Sequence, residues 1–223
     1  MSVHPASPPL VHLQGVEVVT RRTRQTLLSV PDLPIAPASR AAVMGPSGAG
    51  KSMLLSALTG RLPAGVEMTG LRRATSDLRI GFVPQRGADA VHPLMPIARQ
   101  LRAVTGADAA RIRQVLAAVG LDLQLLGRRR PAELSGGQLQ RVAISLAFLG
   151  SPALVIADEP TSALDGASRD ETLAVLSELS ETTGSALVVA THDPQVRDRL
   201  DAQLIRVASG QVALGLDREA EAA

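Results

Sequence analysis

The chain has no cysteine, no tryptophan and no tyrosine, and Phe82 and Phe148 are its only aromatic side chains. Without cysteine there can be no disulfide, no thiol nucleophile and no thiolate metal site. Two scattered rings give no platform on which single-stranded nucleic acid could stack its bases. No apolar run approaches the ~20 residues that a membrane-spanning helix needs. The first residues, MSVHPASPPL, lack the basic start and apolar core of a secretory signal, so the chain is expected in the cytoplasm. Lysine is almost missing too: of the 23 basic residues, all but Lys51 are arginine.

That last scarcity explains a pI of about 10.2. Almost nothing titrates between histidine and arginine, so a formal net charge of only +2 drives the pI high, and no nucleic-acid partner is expected. The basic run Arg128–Arg130 reads as a solvated loop. At 223 residues and 45% hydrophobic, the chain can build a real core as one domain, with or without subdomains.

The lone lysine lies in MGPSGAGKSMLL, behind Gly45, Gly48 and Gly50 and in front of Ser52. This is the G-x-x-x-x-G-K-[ST] pattern of a phosphate-binding loop. Its glycines let Gly45, Pro46, Ser47, Gly48, Ala49 and Gly50 turn tightly and point successive N–H groups inward at phosphate oxygens. The helix that follows adds the partial positive charge of its N-terminus. Lys51 supplies a compact point charge for the β- and γ-phosphates, where a planar guanidinium is a poor substitute. The Ser52 hydroxyl is placed to ligate Mg²⁺. Around the loop, residues 40–44 read as a short strand and residues 52–58 as a helix, stopped by Gly60 and Pro63.

Residues 10–36 alternate apolar and polar and read as short strands, and residues 78–83 as another. From 88 to 149 the chain turns helical, with Ile112, Val115, Leu116 and Val119 at helical spacing and a stop at Gly120. The unbroken apolar runs 153–157 and 186–190 read as strands buried on both faces of a parallel sheet, with residues 172–179 helical between them. The alternation indicates an α/β fold with helices on both faces of the sheet.

Asp158 and Glu159 follow the first of those runs. A carboxylate at a strand's C-terminal end faces the crevice where nucleotides bind in open α/β sheets. Asp158 is placed to hold Mg²⁺, and Glu159 to polarise a water for attack on the γ-phosphate. Leu134, Ser135, Gly136, Gly137 and Gln138 precede a helix with Leu139, Val142, Ala143 and Leu146 on one stripe. Ser135 is a natural N-cap. One triphosphate does not need a second anion-seeking helix end in the same chain, so this one either caps its helix and nothing more or completes the site of a partner subunit.

LSGGQ at 134–138, the phosphate loop at 45–52 and ALVIADEPTSALD at 153–165 together resemble the ATP-binding cassette of ABC transporters, over about residues 11–215. The resemblance implies a P-loop NTPase (RecA-like) core at about 41–87 and 150–215, an N-terminal antiparallel β subdomain at about 10–40 and an inserted helical subdomain at 88–149, all within one domain of 1–223. It implies a catalytic role for Gln85, which links nucleotide to the membrane subunit and counts among the Mg²⁺ ligands with Ser52 and Asp158. It places Ser162, Ala163, Leu164 and Asp165 in a dimer-contact loop and His192 at the γ-phosphate. It further implies ATP with Mg²⁺, a head-to-tail dimer with ATP between the phosphate loop and the partner's signature, and a peripheral place on the cytoplasmic face of the cell membrane beside permease subunits.

Residues 85–97 and 133–144 look most like the ATPases of the peptide/nickel importer group, which implies import of a peptide, nickel or metal chelate together with an extracytoplasmic solute-binding protein. An exporter ATPase is the alternative. A soluble cassette acting on DNA or ribosomes fits less well: too few residues separate Ser52 from Ser135 to hold the long coiled coil of the DNA-repair type, and the translation type carries two cassettes per chain where this has one.

The family usually stacks adenine on an aromatic residue near the N-terminus, and Thr20 falls at that position. Such stacking is worth roughly 1–3 kcal/mol. The expected outcome in calorimetric titration is that the subunit binds ATP and GTP within about tenfold of each other. Thr20→Tyr should tighten ATP binding by about 1 kcal/mol or more. Strong ATP preference in the parent, with no gain from tyrosine, would show that another side chain, such as Arg21 or Arg22, already covers the base.

Overall fold

The computed structural model describes residues 8–162, 164 and 166–215. Two ten-residue strands come first, β1 (Val11–Thr20) and β2 (Thr26–Ile35). Next are β3 (Arg40–Met44), α1 (Lys51–Thr59), β4 (Val66–Ala74) and β5 (Ile80–Val83). The helical stretch holds α2 (Ile97–Thr105), α3 (Ala109–Ala118), α4 (Leu123–Leu126) and α5 (Gly136–Leu149). The chain then runs through β6 (Leu154–Asp158), α6 (Gly166–Thr183), β7 (Ala186–Thr191), α7 (Pro194–Leu200), β8 (Gln203–Ala208) and β9 (Gln211–Leu214).

All nine strands join one sheet, in the order β4-β1-β2-β9-β8-β3-β7-β6-β5. From β8 to β5 every pairing is parallel, whereas β1 pairs antiparallel with both β2 and β4. The two regions meet at a single parallel pair, Ser29 with Gln211. Strand β4 falls inside the segment read from sequence as core, yet it lies beside β1 at the sheet's outer edge.

Side-chain alternation along the central strands divides the interior. Ala42, Val155, Ala157, Leu187 and Val189 face a core shared with α2, α3 and α5–α7. Their neighbours Ala41, Val43, Leu154, Ile156, Val188 and Ala190 face α1 and the β1–β2 layer. Both faces are covered, so these strands carry no polar alternation. Helix α1 is closed at its far end by Arg72 of β4, whose guanidinium donates to the carbonyls of Ala57 and Leu58 at 2.8–3.2 Å. A cation among the last carbonyls of a helix complements its dipole and ties β4 to the core.

Helix α5 is buried on more sides than a single stripe allows. Ile144, Ala147, Phe148 and Leu149 are buried along with Val142 and Ala143, while Leu139 and Leu146 are only half-buried. Its backbone approaches β5 so closely that a Cβ at Gly81 would lie 2.3 Å from the Ala147 carbonyl oxygen. Gly81 has no positive φ, so the obstacle to a side chain there is steric alone. Forcing a methyl group into such a contact typically costs about 1–3 kcal/mol. Gly81→Ala should therefore lower the urea midpoint with an unchanged slope, and lower the thermal midpoint by about 2–4 °C per kcal/mol. A midpoint equal to the parent's would show that α5 is free to shift.

Candidate active site

Strand order brings together what sequence order separates. The C-terminal ends of β3, β7 and β6 are neighbours, with Met44 opposite Thr191 and Ala190 opposite Asp158. The loop at 45–50, His192 and the Asp158-Glu159 pair therefore emerge side by side, in the crevice where open α/β sheets bind ligands.

The loop sits tightly on β8. A Cβ at Gly45 would lie 2.0 Å from the Val207 carbonyl oxygen, so glycine is required there. Gly50, at φ +112, opens α1 without a side-chain cap, and no acidic residue occupies the first turn. That leaves the first N–H groups of the helix with no side-chain oxygen or carboxylate competing for them.

Lys51 is only 6% exposed. Its Nζ donates to the carbonyls of Gly45 (3.0 Å) and Pro46 (3.3 Å) and lies 3.3 Å from Glu159 Oε1. The other carboxylate oxygen of Glu159 is 3.5 Å from His192 Nδ1. Glu159 thus bridges the lysine and the histidine. It does so from φ +44, a left-handed conformation unusual for a side chain of this size. Its N–H is tied to the Ala190 carbonyl at 2.9 Å, which fixes the turn. Backbone strain of this kind persists where the surroundings over-determine it.

Beside this trio, Ser52 Oγ donates to Asp158 Oδ2 at 3.0 Å. Burial raises the Asp158 carboxyl above its ordinary value. The Ser52 hydrogen bond and the Lys51 charge oppose the rise, and the Glu159 charge adds to it. Among the described residues no group of three or more His, Cys, Asp or Glu is arranged to hold a metal ion. A hydroxyl and one carboxylate, both hard oxygen donors, nevertheless suit Mg²⁺, which keeps several waters and takes its remaining ligands from substrate phosphates.

Gln85 Nε2 donates to Ser162 Oγ at 3.2 Å, and Ser162 shares a pocket lining with Glu159 and His192. No hydrogen bond joins Gln85 to Ser52 or Asp158. Ser135 caps α5 by accepting from the Gln138 N–H (3.2 Å), and Gln138 Oε1 accepts from the Ser135 N–H (3.0 Å). Those bonds stay within the segment, and Gly136 and Gly137 beside it are exposed. Leu164 is half-buried, and Ala163 and Asp165 lie outside the described residues.

Thr20 is occupied by its own turn. Its Oγ1 accepts from the Gln25 N–H (3.0 Å) and shares a 2.6 Å hydrogen bond with Thr23. Arg21 Nε donates to the Val66 carbonyl at 3.2 Å, and Arg24 pairs with Glu67. Of the arginines in this turn, only Arg22 has no described partner. Sequence reasoning missed Val207, which seats the loop, and Asp193, which caps α7 and pairs with Arg169 at 2.7 Å. The second could have been found from Asp-Pro at a helix start.

A cavity of about 580 Å³ opens beside Ser52 and Asp158, walled by Leu55, Arg72, Ile80 and Phe82. A second, of about 950 Å³, opens beside Pro46, His192 and Arg206. Both are of the size that small-molecule sites occupy.

The ABC transporter family matches residues 28–162. The zinc import ATP-binding protein ZnuC of Cereibacter sphaeroides is 38% identical over 180 residues, covering 80% of this chain and 72% of that one. The lipoprotein-releasing system ATP-binding protein LolD of Ruegeria pomeroyi is 37% identical, over 93% of this chain and 98% of that one. The macrolide export ATP-binding/permease protein MacB of Marinobacter nauticus is 35% identical, and this chain spans 34% of it. Among solved structures, a dimeric post-hydrolysis state of an ATP-binding cassette with ADP and Pi superposes at a TM-score of 0.73, with 28% identity, over 91% of this chain and 96% of that one.

The raised Asp158 carboxyl has a consequence for stability. A carboxyl raised in the fold binds protons more readily folded than unfolded, so its ionisation costs stability as pH rises through that range. Asp158→Asn removes the buried charge and keeps an oxygen to accept from Ser52. The variant should melt above the parent at neutral pH, in the direction set by burial of the charge. The gap should close on acidification into the range where Asp158 takes up its proton. A variant less stable than the parent at neutral pH would show that the carboxylate contributes more than it costs.

Proposed function

The chain belongs to the ABC transporter family of ATPases, and on that premise we propose that its ATP hydrolysis drives import of a small solute through separate membrane permease subunits. It is an ATP hydrolase of the ABC type, and the phosphate loop with its buried Lys51 is the observation that carries the site assignment. The amides of residues 45–50 and the N-terminus of α1 bind the phosphates, and Lys51 adds the point charge. Ser52 and Asp158 hold Mg²⁺, which when bound neutralises charge on the phosphate oxygens.

Glu159 accepts the proton of the attacking water. The left-handed turn aims its carboxylate into the crevice, and His192 orients that carboxylate while reaching toward the γ-phosphate. Gln85 and Ser162, joined by their hydrogen bond, carry the state of the site to the neighbouring subunits. Ser135 and the two glycines after it, exposed at the start of α5, act on the nucleotide of a second ATPase subunit in a head-to-tail dimer. Ser162 and Leu164 would line that contact.

Among the relatives described, the names divide among zinc import, lipoprotein release and macrolide export. None of them is a peptide or nickel importer. A metal ion or metal chelate is therefore the solute class we favour, supported by the zinc-import relative at 38% identity. An extracytoplasmic solute-binding protein would deliver it, and the chain would sit peripherally at the cytoplasmic face. Among the described residues, no helix is long and apolar enough to cross a membrane. Lipoprotein release is the second reading, favoured by the near end-to-end match to LolD. Co-purifying the chain with its permease and reconstituting both in vesicles separates the two. ATP-dependent accumulation of zinc or nickel supports import, and release of a lipid-anchored protein without accumulation overturns it.

The residue roles are tested by Glu159→Gln. The amide fits the site but cannot take the water's proton, so ATP should bind as in the parent while turnover falls by at least ~10²-fold. ATP should then persist in a dimer that survives size exclusion. Turnover near the parent rate would remove Glu159 from the role of base.

A further inference from the structure

The β8–β9 turn lies under the phosphate loop, at the seam where the antiparallel region joins the parallel sheet. Two residues make the turn, Ser209 at φ +47 and Gly210 at φ +76. The Gly210 N–H donates to the Ala49 carbonyl at 2.9 Å. The Gly210 carbonyl accepts from the Ser29 N–H of β2 at 2.7 Å. One residue therefore ties β2 to the loop, next to the only pair that joins β2 to β9. Its α-carbon and the Val207 side chain are also close neighbours of Gly50, 3.7 and 3.6 Å from where a Cβ would stand there.

The consequence follows from the planarity of the peptide unit. In a trans peptide the C=O and the following N–H point in opposite directions. The Ala49 carbonyl is held outward, on Gly210. The N–H of the same peptide unit belongs to Gly50 and is thereby held inward, toward the hollow of the loop. We infer that Gly210 is a positioning residue for nucleotide binding: its N–H fixes the Ala49–Gly50 peptide so that the Gly50 amide is aimed at phosphate before the ligand arrives. The inference rests on the loop being the ATP site and adds a contributor that lies far along the chain from it.

Gly210 is hard to replace, because a Cβ there would stand 2.6 Å from the Leu27 carbonyl oxygen. Gly210→Ala should push the turn off β2 and break both of its hydrogen bonds. Gly184→Ala is the matched control. Gly184 has a similar φ, +68, with nothing within 4 Å of its Cβ position, so it carries the backbone strain without touching the loop. A finer variant replaces Gly210 by glycolate, inserted during in vitro translation with a chemically acylated tRNA. The ester removes the N–H and keeps the Gly210 carbonyl, at the cost of a weaker Ser209 carbonyl acceptor.

ATP and ADP affinities are measured well below the thermal midpoint of each full-length protein. Losing one neutral hydrogen bond should weaken both nucleotides by about two- to tenfold in the ester protein. Gly210→Ala should weaken them at least as much, and Gly184→Ala should leave them unchanged while lowering its midpoint. A merely structural bond would lower the midpoint of the ester protein and leave its affinities at the parent value, and that result overturns the proposal. Equal affinity losses in Gly184→Ala and Gly210→Ala would overturn it as well. A parent protein that bound neither nucleotide would instead overturn the reading of the loop as an ATP site.

Discussion

A cation buried to 6% exposure has to be met on every side, and the site is arranged around that need. Taking an ammonium out of water is costly unless oxygen atoms replace the hydration it gives up. For Lys51 those atoms are two loop carbonyls and one oxygen of Glu159. The carbonyls are available because the loop doubles back over β8. The carboxylate is available because β6 ends beside β7 and Glu159 turns into a left-handed conformation. In the proposed ATP-bound state the same ammonium would exchange these partners for phosphate oxygens of higher charge.

The sheet extends this logic outward. Its parallel part lines up three strand ends, and its antiparallel part, β4-β1-β2, is joined to it through one residue pair and the β8–β9 turn. That seam lies directly beneath the loop at 45–50, which Gly210 joins through the Ala49 carbonyl. The helical segment is held at other points, two of them on α5. Gly81 lets α5 lie against β5, and the buried Gln140 side chain reaches the Pro84 carbonyl at 3.4 Å, one residue before Gln85. Signature helix and glutamine are thus mechanically connected on one side of the molecule, and loop and hairpin on the other.

How much of this the sequence disclosed depended on how strongly burial marks the residues. Strands β3, β6 and β7 were readable because both their faces are covered, which leaves unbroken apolar runs. The candidate site residues beside them stood out because the spacing G-x-x-x-x-G-K-[ST] is itself a recognisable pattern. Strand β4 was not, since VEMTGLRRA is half exposed at the sheet's edge, with Gly70 at its centre and charges on either side. The hairpin of β8 and β9 was missed although Ser209-Gly210 between two β-like runs is a recognisable turn signal. The stripe on α5 was read too narrowly, because periodicity finds one buried face and α5 is covered on several. Contact between Lys51, Glu159 and His192 was beyond any local pattern. It follows from β7 lying between β3 and β6, an order that spacing along the chain does not encode.

The rarity of lysine also gives the molecule a chemical property that most proteins lack. Apart from the terminal α-amine, its one primary amine stands inside the nucleotide crevice, paired and nearly inaccessible. Amine-directed acylation or reductive methylation therefore has a single side-chain target, and modifying it removes the charge or crowds the pocket at once. A lysine-specific protease has one bond to cut, at the first turn of α1, and can reach it only when that helix frays. Arginine elsewhere keeps its positive charge while staying inert to the same reagents.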